Sequence, residues 1–466
     1  MGGLKRARSA SDEVAVSRVP IYRGHFGVRE AERLLWRAGF GPFPGEAEQL
    51  AEHGLRSAVR ALTRPRRKKA GLYGPEPTDD DGNPLAPYDA YGHDLLWWLD
   101  RMARSNQPLI DRMALIWHDW FATGDVSSQR LSIAQIELFQ RRGLGSFRKL
   151  LLDMTRDPAM LVWLDGVDNS KDDPNENYGR EMMELFALGA ADPATGYPYT
   201  EQDVREQARA LTGWTADYED DFGFTRFYYD RELHDFGGKR ILGKKGKFDW
   251  RDSCELCLRH KAHAPYFVDK LWSYFVPVPP SGRTRKALQV LYRRNDYAVR
   301  PVVEAILMHP ELYNGPALVK PPVVQIAGML KARSRGIDTE SWTWIASQAG
   351  MRVFRPPNVA GWDETRWLDT STFRGRWTAA NRIVRGEEID ADEDYPAAET
   401  TDEALAQALA YWGNPTISAA TRAELAGFCD RVAEAATQPW QQDSFRALRQ
   451  NALRMLIATS PDLMAC

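Results

Sequence analysis

Long apolar runs are missing from this sequence, and that absence is the first constraint on what the chain can be. No stretch approaches the roughly 18 apolar residues needed to cross a bilayer, and residues 1–20 carry charge without the apolar segment of an export signal. A cytoplasmic location is therefore the expectation. Cysteine is scarce as well: four in 466 residues make no disulfide framework, which fits a reducing compartment. Charge of one sign is not in surplus either. The 61 Lys and Arg against 64 Asp and Glu leave −3, too little for a whole-molecule field that would draw nucleic acid or anionic lipid. Neither a nucleic-acid partner nor a membrane span is expected.

The common catalytic signatures are also lacking, and their near-matches fail on physical grounds. The run from Gly238 to Lys244 imitates a phosphate-binding loop, but Lys245 stands where a hydroxyl must reach the metal. Gly39, Gly41 and Gly45 follow a helical pattern instead of a strand, and Pro42 and Pro44 remove backbone donors that a dinucleotide needs. No G-x-S-x-G elbow, H-E-x-x-H pair or di-iron E-x-x-H pair occurs. Cys254, Cys257, His260 and His263 are zinc-type ligands at steps of three. On one α-helix each such step turns the side chain by about 60° around the axis, so the four cannot converge on a tetrahedral ion. They read as a helix with two half-buried thiols and two surface histidines.

What is present is the composition of a large folded core: 43% hydrophobic and 27% charged residues, with 16 Trp. Tryptophan at that load fills cores, and it also builds platforms for flat ligands. Apolar residues recur at helical spacing from Val28, with Gly39 placed to close the first helix and Pro44 to open a second. Residues 64–94 mix a basic cluster, the acidic triplet Asp79, Asp80 and Asp81, and several Pro and Gly, and predict a long surface loop. Two helical stretches follow within 95–121, divided near Pro108. Further helices are predicted over 131–141, 146–155, 158–164, 265–275, 284–293, 298–308 and 319–333, then over 404–411, 421–436 and 444–458. Residues 222–229 and 239–242 predict two short strands forming one hairpin around Gly237 and Gly238, and 351–377 a loop rich in Pro and Trp. The fold class that results is mainly α, a large multi-helix orthogonal bundle with one small β-hairpin. Its expected organisation is a flexible tail over 1–25, a main helical domain over 26–386, a linker over 387–402, and C-terminal helices over 403–466 packed on the main domain.

Residues 175–189 carry the most chemistry. They read as one helix capped by Asn175 and ended by Gly189. Asn177, Glu181 and Glu184 fall at i, i+4 and i+7, opposite an apolar face of Tyr178, Met182, Leu185 and Phe186. The plain reading is a solvated face with an ion pair between Arg180 and Glu184. The functional one is a carboxylate cluster for a cation or a proton transfer. Two carboxylates on one helix act from one side, so alone they do not make a glycosidase pair. Thr200 and Asp203 have the spacing of a capping box, which gives Asp203 a structural role. His118, on an otherwise apolar helix, reads either as a core histidine or as a base.

The blocks Asn175-Glu-Asn-Tyr-Gly-Arg-Glu-Met-Met-Glu-Leu, Tyr199-Thr-Glu-Gln-Asp-Val and Ala210-Leu-Thr-Gly-Trp214 resemble the core motif of the bacterial domain-of-unknown-function 1800 family. Leu34-Leu-Trp-Arg-Ala-Gly-Phe-Gly-Pro42, Ile116-Trp-His-Asp-Trp-Phe121, His234-Asp-Phe-Gly-Gly-Lys-Arg-Ile-Leu-Gly243, Lys270-Leu-Trp272 and Phe354-Arg-Pro-Pro-Asn-Val-Ala-Gly-Trp362 resemble further blocks of that family, in the right order. The family has no assigned activity, so the resemblance implies a fold and no reaction. Relatives often carry histidine where this chain has Trp120 and Phe186. Many begin with an export signal, and many are encoded beside a sulfatase-like family, which the resemblance offers as a partner.

These observations leave two functional readings. In the first the chain is an enzyme, with Glu181, Glu184, His118, His234 and Asp235 catalytic and Asn177, Arg180, Trp214, Arg355, Asn358 and Trp362 binding substrate. A divalent cation is its candidate cofactor. In the second the chain is a non-catalytic binding or assembly protein that holds a glycan or protein partner with the Trp-rich loop. The argument against zinc is testable at once: elemental analysis of the purified protein should find no stoichiometric zinc, and zinc that disappears on Cys254→Ser would overturn it.

Overall fold

A computed structural model describes residues 19–66, 71–124, 126, 128–190, 196, 198–220, 223–391 and 400–466. Helix makes up 57% of the chain, and among the described residues β structure is confined to two small antiparallel pairs. The fold is mainly α, as the periodicity predicts. No described helix is long and apolar enough to cross a membrane. Much of the expected tail and half of the expected linker, residues 1–18 and 392–399, lie outside the described residues. The end of the tail is tied down, because the Tyr22 amide donates to the Met308 carbonyl at 2.8 Å and its ring lies 4.6 Å from that of Tyr313.

The chain divides into two compact units, each assembled from separated segments. The first contains Met113–Pro316 and Phe354–Trp362. Its helices begin where the sequence supplies caps. Asp157 accepts the Met160 amide at 3.0 Å and Pro158 occupies the first turn of Pro158–Trp163. Thr200 and Asp203 cap Glu201–Ala210 reciprocally. The interior is aromatic: Trp117, Trp120, Phe121, Phe147, Phe267 and Tyr292 are fully buried, with Phe267 and Tyr292 stacked at 4.0 Å. Burial of each such ring stabilises the unit by roughly 1.5–3 kcal/mol.

Two expectations in this unit need correction. The segments predicted as one hairpin belong to two. Strand β1, Trp214–Glu219, pairs antiparallel with β2, Gly223–Tyr229, with a bulge at Ala216 and Asp217. Strand β3, Lys239–Ile241, pairs with β4, Lys244–Gly246. The connection between β3 and β4 is Leu242-Gly243, both at positive φ (50° and 75°), the conformation a two-residue hairpin requires. Gly237 and Gly238 therefore precede a hairpin instead of turning one. The run of Cys and His is broken as well: Trp250–Arg259 ends at His260 and a new helix, His263–Ser273, follows. Cys254 and Cys257 are fully buried, and burial pushes both thiols well above the usual range. His263 is buried too, bonded to the Ala187 carbonyl at 2.9 Å and the Tyr292 hydroxyl at 3.0 Å.

The second unit contains Gly24–Arg112, Ala317–Val353 and Asp363–Cys466. Val28–Ala38 ends at Gly39 as predicted, and Pro322–Ala332 is buried along nearly its whole length. The predicted loop over 351–377 is too long, because Asp369 accepts the amides of Ser371 and Thr372 and starts the helix Thr370–Arg385. Glycines set the closest approaches. A Cβ on Gly328 would stand 2.1 Å from the Trp36 ring, and one on Gly375 would stand 2.2 Å from the backbone nitrogen of Ala349. At Gly328 the two nearest atoms belong to the Trp36 ring, whereas at Gly375 all three nearest atoms are backbone. Gly375→Ala should therefore cost about 2 kcal/mol or more, read as a lower denaturant midpoint at unchanged slope. A midpoint within error of the parent would show that Thr370–Arg385 separates freely from Trp342–Gln348, the helix that Ala349 ends.

Candidate functional site

The first unit brings three of the sequence blocks together around Asp119. This carboxylate sits one residue beyond His118 on the helix Pro108–Trp120, and its two oxygens hold different elements. Oδ1 accepts the Trp362 amide at 2.8 Å, and Oδ2 accepts the Tyr274 hydroxyl at 2.6 Å. Hydrogen bonds to an ionised carboxylate are about twice as strong as neutral ones, so the end of the Phe354–Trp362 loop is clamped to the helix. Gly361 has φ +94°, and a Cβ there would lie 2.3 Å from Asp119 Oδ1, so only glycine permits the contact. At the other end of the loop Phe354 has φ +61°, a left-handed conformation rare for a bulky residue.

His118 lies beneath this loop. Its ring centroid is 5.9 Å from that of Phe354 and 5.4 Å from that of Trp362, and the side chain is buried. Burial lowers its pKa to about 3, with a hydrogen bond to Gln135 opposing the shift, so the imidazole is neutral at physiological pH. Gln135 accepts the Thr123 hydroxyl at 2.9 Å and donates to Asp157 at 2.7 Å. Asp157 is raised to about 6 by burial, which outweighs its bonds from Gln135 and the Met160 amide. Arg355 is half-buried and Asn358 is exposed, the latter accepting the Ala360 amide within the loop.

The helix carrying the carboxylates differs from the single α-helix predicted over 175–189. Asn175 caps it and Gly189, at φ +89°, closes it, but it is α-helical only over Glu176–Glu181 and π-helical over Met182–Ala187. The change falls between Glu181 and Glu184, so the wider turn shifts Glu184 out of the even stripe that a 3.6-residue period implies. Short π segments recur at functional sites because they re-aim side chains. Gly179 makes room for this helix, since a Cβ there would stand 3.1 Å from the Ala208 amide nitrogen on Glu201–Ala210.

Glu181 and Glu184 are half-buried. Burial raises the Glu181 carboxyl, and the charge of Glu184 adds to the shift. The predicted ion pair between Arg180 and Glu184 does not form. Arg180 bonds Glu201 at 2.7 and 2.9 Å and Glu176 at 3.1 Å, and those partners hold its pKa up. Burial raises the hydroxyls of Tyr199 and Tyr266, Glu184 adding to the shift of Tyr199, and Tyr199 and then Glu184 to that of Tyr266. The Leu185 carbonyl, inside the π segment, accepts the Tyr266 hydroxyl at 2.5 Å and the Lys270 ammonium at 3.1 Å. Lys270 also lies 4.8 Å over the Trp120 ring. Burial lowers it to about 8 against the attraction of Asp119, so Lys270 couples the carboxylate turn to the loop clamp. Trp120 closes the same connection by donating to the Phe186 carbonyl at 3.1 Å. Trp120 and Phe186 are thus direct neighbours.

The remaining predicted residues sit in structural networks. Asn177 is exposed and donates to Asp165 at 3.0 Å. His234 is buried with Nδ1 2.9 Å from the Thr212 carbonyl, and burial lowers its pKa. Asp235 accepts Arg209 at 2.7 Å and the Gly237 amide at 2.7 Å, beside the buried ammonium of Lys239. Trp214 packs edge-on against Tyr229 and Trp250, each at 5.5 Å. No described contact joins His234 or Asp235 to Glu181 or Glu184. Asp119, Tyr199, Tyr266, Lys270 and Tyr274 escaped the sequence reading. Two signals for them were there: Asp119 is the lone carboxylate of the block Ile116–Phe121, and Lys270 opens the block Lys270-Leu-Trp272.

For a cation, the described residues offer one group of three donor side chains, Asp79, His93 and Glu340 in the second unit. His93 Nδ1 accepts the Ala86 amide at 3.0 Å, which places the ring proton on Nε2, facing Glu340 at 3.4 Å. That tautomer has no lone pair left for a metal, so the trio is a clip on the loop before His93–Arg104.

The chain matches a family model described as "Protein of unknown function (DUF1800)" over residues 33–465. No curated protein and no solved structure matches it.

The buried pair of His118 and Asp157 makes stability depend on pH in two opposed ways. Asp157 binds its proton more tightly folded (about 6) than unfolded, so its contribution weakens as pH rises from about 4 to 6. His118 binds its proton less tightly folded (about 3), so stability is lost as pH falls from about 6.5 toward 3. Asp157→Asn keeps an acceptor for Gln135 and Met160 while removing the charge. It should raise stability at pH 7 by on the order of 1–3 kcal/mol and by much less at pH 4. Equal destabilisation at both pH values would mean that Asp157 is not held against its charge.

Proposed function

The chain belongs to this family of unknown function, DUF1800, whose model covers nearly all of it, and on that premise we propose that it is an acid–base enzyme centred on Glu181 and Glu184. The observation that carries the reading is the π-helical turn. It carries the half-buried Glu184 next to the half-buried Glu181, and its Leu185 carbonyl accepts the Tyr266 hydroxyl and the half-buried Lys270 ammonium. Two of these groups are shifted in the way proton transfer needs. Burial and the charge of Glu184 hold the Glu181 carboxyl above its usual range, and Lys270, at about 8, can exist as ammonium or amine near neutral pH.

The roles follow from position. Glu181 is the general acid and Glu184 the base, while Lys270, with Tyr266, stabilises negative charge that develops on a bound substrate. The Phe354–Trp362 loop, fixed by Asp119, excludes water from this side, and His118 is the uncharged support on which its two aromatic ends rest. His234 and Asp235 act on the hairpin side as framework. A cation bound by the carboxylate pair is the weaker form of the same idea, because Lys270 already supplies positive charge next to it. The tryptophan-platform reading is weaker again: Trp362 is half-buried against His118 with its amide committed to Asp119.

Carboxyl-carbon NMR tests the pair without knowledge of a substrate. Glu181 should titrate above the usual carboxylate range and move down when Glu184 is changed to Gln. Either an ordinary titration or indifference to Glu184→Gln would remove the coupling on which the proposal stands. Where a panel of esters, amides and phosphoesters yields turnover, Glu181→Gln should lower it by about 100-fold or more at unchanged helix content.

A further inference from the structure

The carbonyls that end the carboxylate helix are taken up, one after another, by side chains of other elements. Leu185, Phe186 and Ala187 fall in its last turn, where a helix has no amides of its own to offer. The Leu185 carbonyl accepts Tyr266 and Lys270, the Phe186 carbonyl accepts Trp120, and the Ala187 carbonyl accepts His263 Nδ1 at 2.9 Å. Three of these donors, His263, Tyr266 and Lys270, stand at i, i+3 and i+7 of the helix His263–Ser273 and so share one face.

His263 is the rung of this ladder that cannot act on a substrate, because it is fully buried. A carbonyl only accepts, so the ring proton is on Nδ1, and Nε2 is left to accept the Tyr292 hydroxyl at 3.0 Å. Burial lowers the ring's pKa to about 4, which keeps that Nε2 lone pair available. The rings of Phe147, Phe267, Tyr292 and Tyr297 all lie within 6.0 Å of the imidazole, centroid to centroid, and fix its plane.

The ladder acts on the wide turn. There the Leu188 amide reaches back five residues to the Met183 carbonyl at 2.8 Å, whereas an α-turn would give it the Glu184 carbonyl. Removing the extra residue of the turn would rotate everything beyond it by about 100° and carry the three carbonyls off their donors. Short π segments are rare by themselves, so contacts from outside the helix have to hold this one. We infer that His263 is a positioning residue for the carboxylate pair: with Tyr266 and Lys270 it holds the last turn in its π form, and that form fixes how Glu184 stands beside Glu181. The catalytic meaning rests on the acid–base reading above, while the ladder itself does not.

The test uses the full-length protein and NMR. At pH 7 the parent should show His263 as the uncharged Nδ1–H tautomer. His263→Phe keeps a ring and removes the donor, whereas His263→Asn keeps an amide N–H near the place of Nδ1. Beyond any rise shared by the core amides, exchange at the Leu188 amide should quicken by about 10-fold or more in His263→Phe and stay within about 3-fold of the parent in His263→Asn. The Glu181 titration should shift in the first variant and hold in the second, a pattern that loss of packing alone would not produce. An Nε2–H tautomer, equal effects in both variants, or a destabilised His263→Phe with Leu188 exchange and Glu181 titration unmoved would each overturn the inference. If His263→Phe does not fold, the tautomer decides together with Tyr266→Phe, which removes one hydroxyl from the next rung; Leu188 should exchange faster there too, and no change would count against the ladder. An ordinary Glu181 titration in the parent would remove the acid–base reading alone, because the tautomer and the Leu188 exchange still decide the ladder.

Discussion

The position of the Phe354–Trp362 loop depends on a single carboxylate placed at the end of an apolar helix. Asp119 is the point where the Trp362 amide, the Tyr274 hydroxyl and the charge of Lys270 meet. Each of its two charge-assisted bonds contributes about 1.5–3 kcal/mol, enough to offset the left-handed conformation that Phe354 adopts at the other end of the loop. With the loop fixed there, His118 is enclosed, and the helix that carries it is registered against the π-helical turn through Trp120 and Phe186. The carboxylate pair, the lysine and the loop are therefore one arrangement with a common anchor.

Burial is the largest cause of the shift in His118, Asp157, Glu181 and Lys270 alike, and what separates them is how far each is enclosed. His118 and Asp157 are enclosed by the core, so each is held in its neutral direction by loss of water. Glu181 and Lys270 are only half-buried; burial shifts both, with the charge of Glu184 adding to the shift of Glu181 and that of Asp119 opposing the shift of Lys270. A group that exchanges protons with a substrate needs the second condition, because a fully enclosed group has no path to one. Histidine, the residue that most readily suggests catalysis in a sequence, is here the packed member.

Most helices were legible in the sequence because their ends carry local chemistry. Asp157-Pro158, Thr200 with Asp203, and Gly39 announce boundaries through bonds made within a few residues. The failures share a cause. The π segment over Met182–Ala187 keeps the composition of an α-helix, so nothing in the residue types marks the change of period. The two hairpins were merged because pairing is non-local and their strands are short. The thiols and His263 were read on a single helix that His260 interrupts. Of the proposed site, Glu181, Glu184 and the loop stand out in the sequence through an unusual polar stripe and an unusual density of Pro and Trp. Lys270 and Asp119 do not, because their significance lies in partners more than 80 residues away.

The interleaved segments also order events during synthesis. Nearly all of the first unit is encoded within Met113–Pro316, so its aromatic interior can close soon after that stretch leaves the ribosome. The second unit cannot do the same. Its pairing of Leu318 with Cys466 and of Lys320 with Met464 joins residues about 145 positions apart, and Arg37 waits for Cys466 across a separation of 429. Until those residues arrive, Pro322–Ala332 has the earlier helix His93–Arg104 to pack on but lacks the C-terminal segment whose Ala458 carbonyl Gln325 bonds, so part of its apolar surface stays open to non-native contacts.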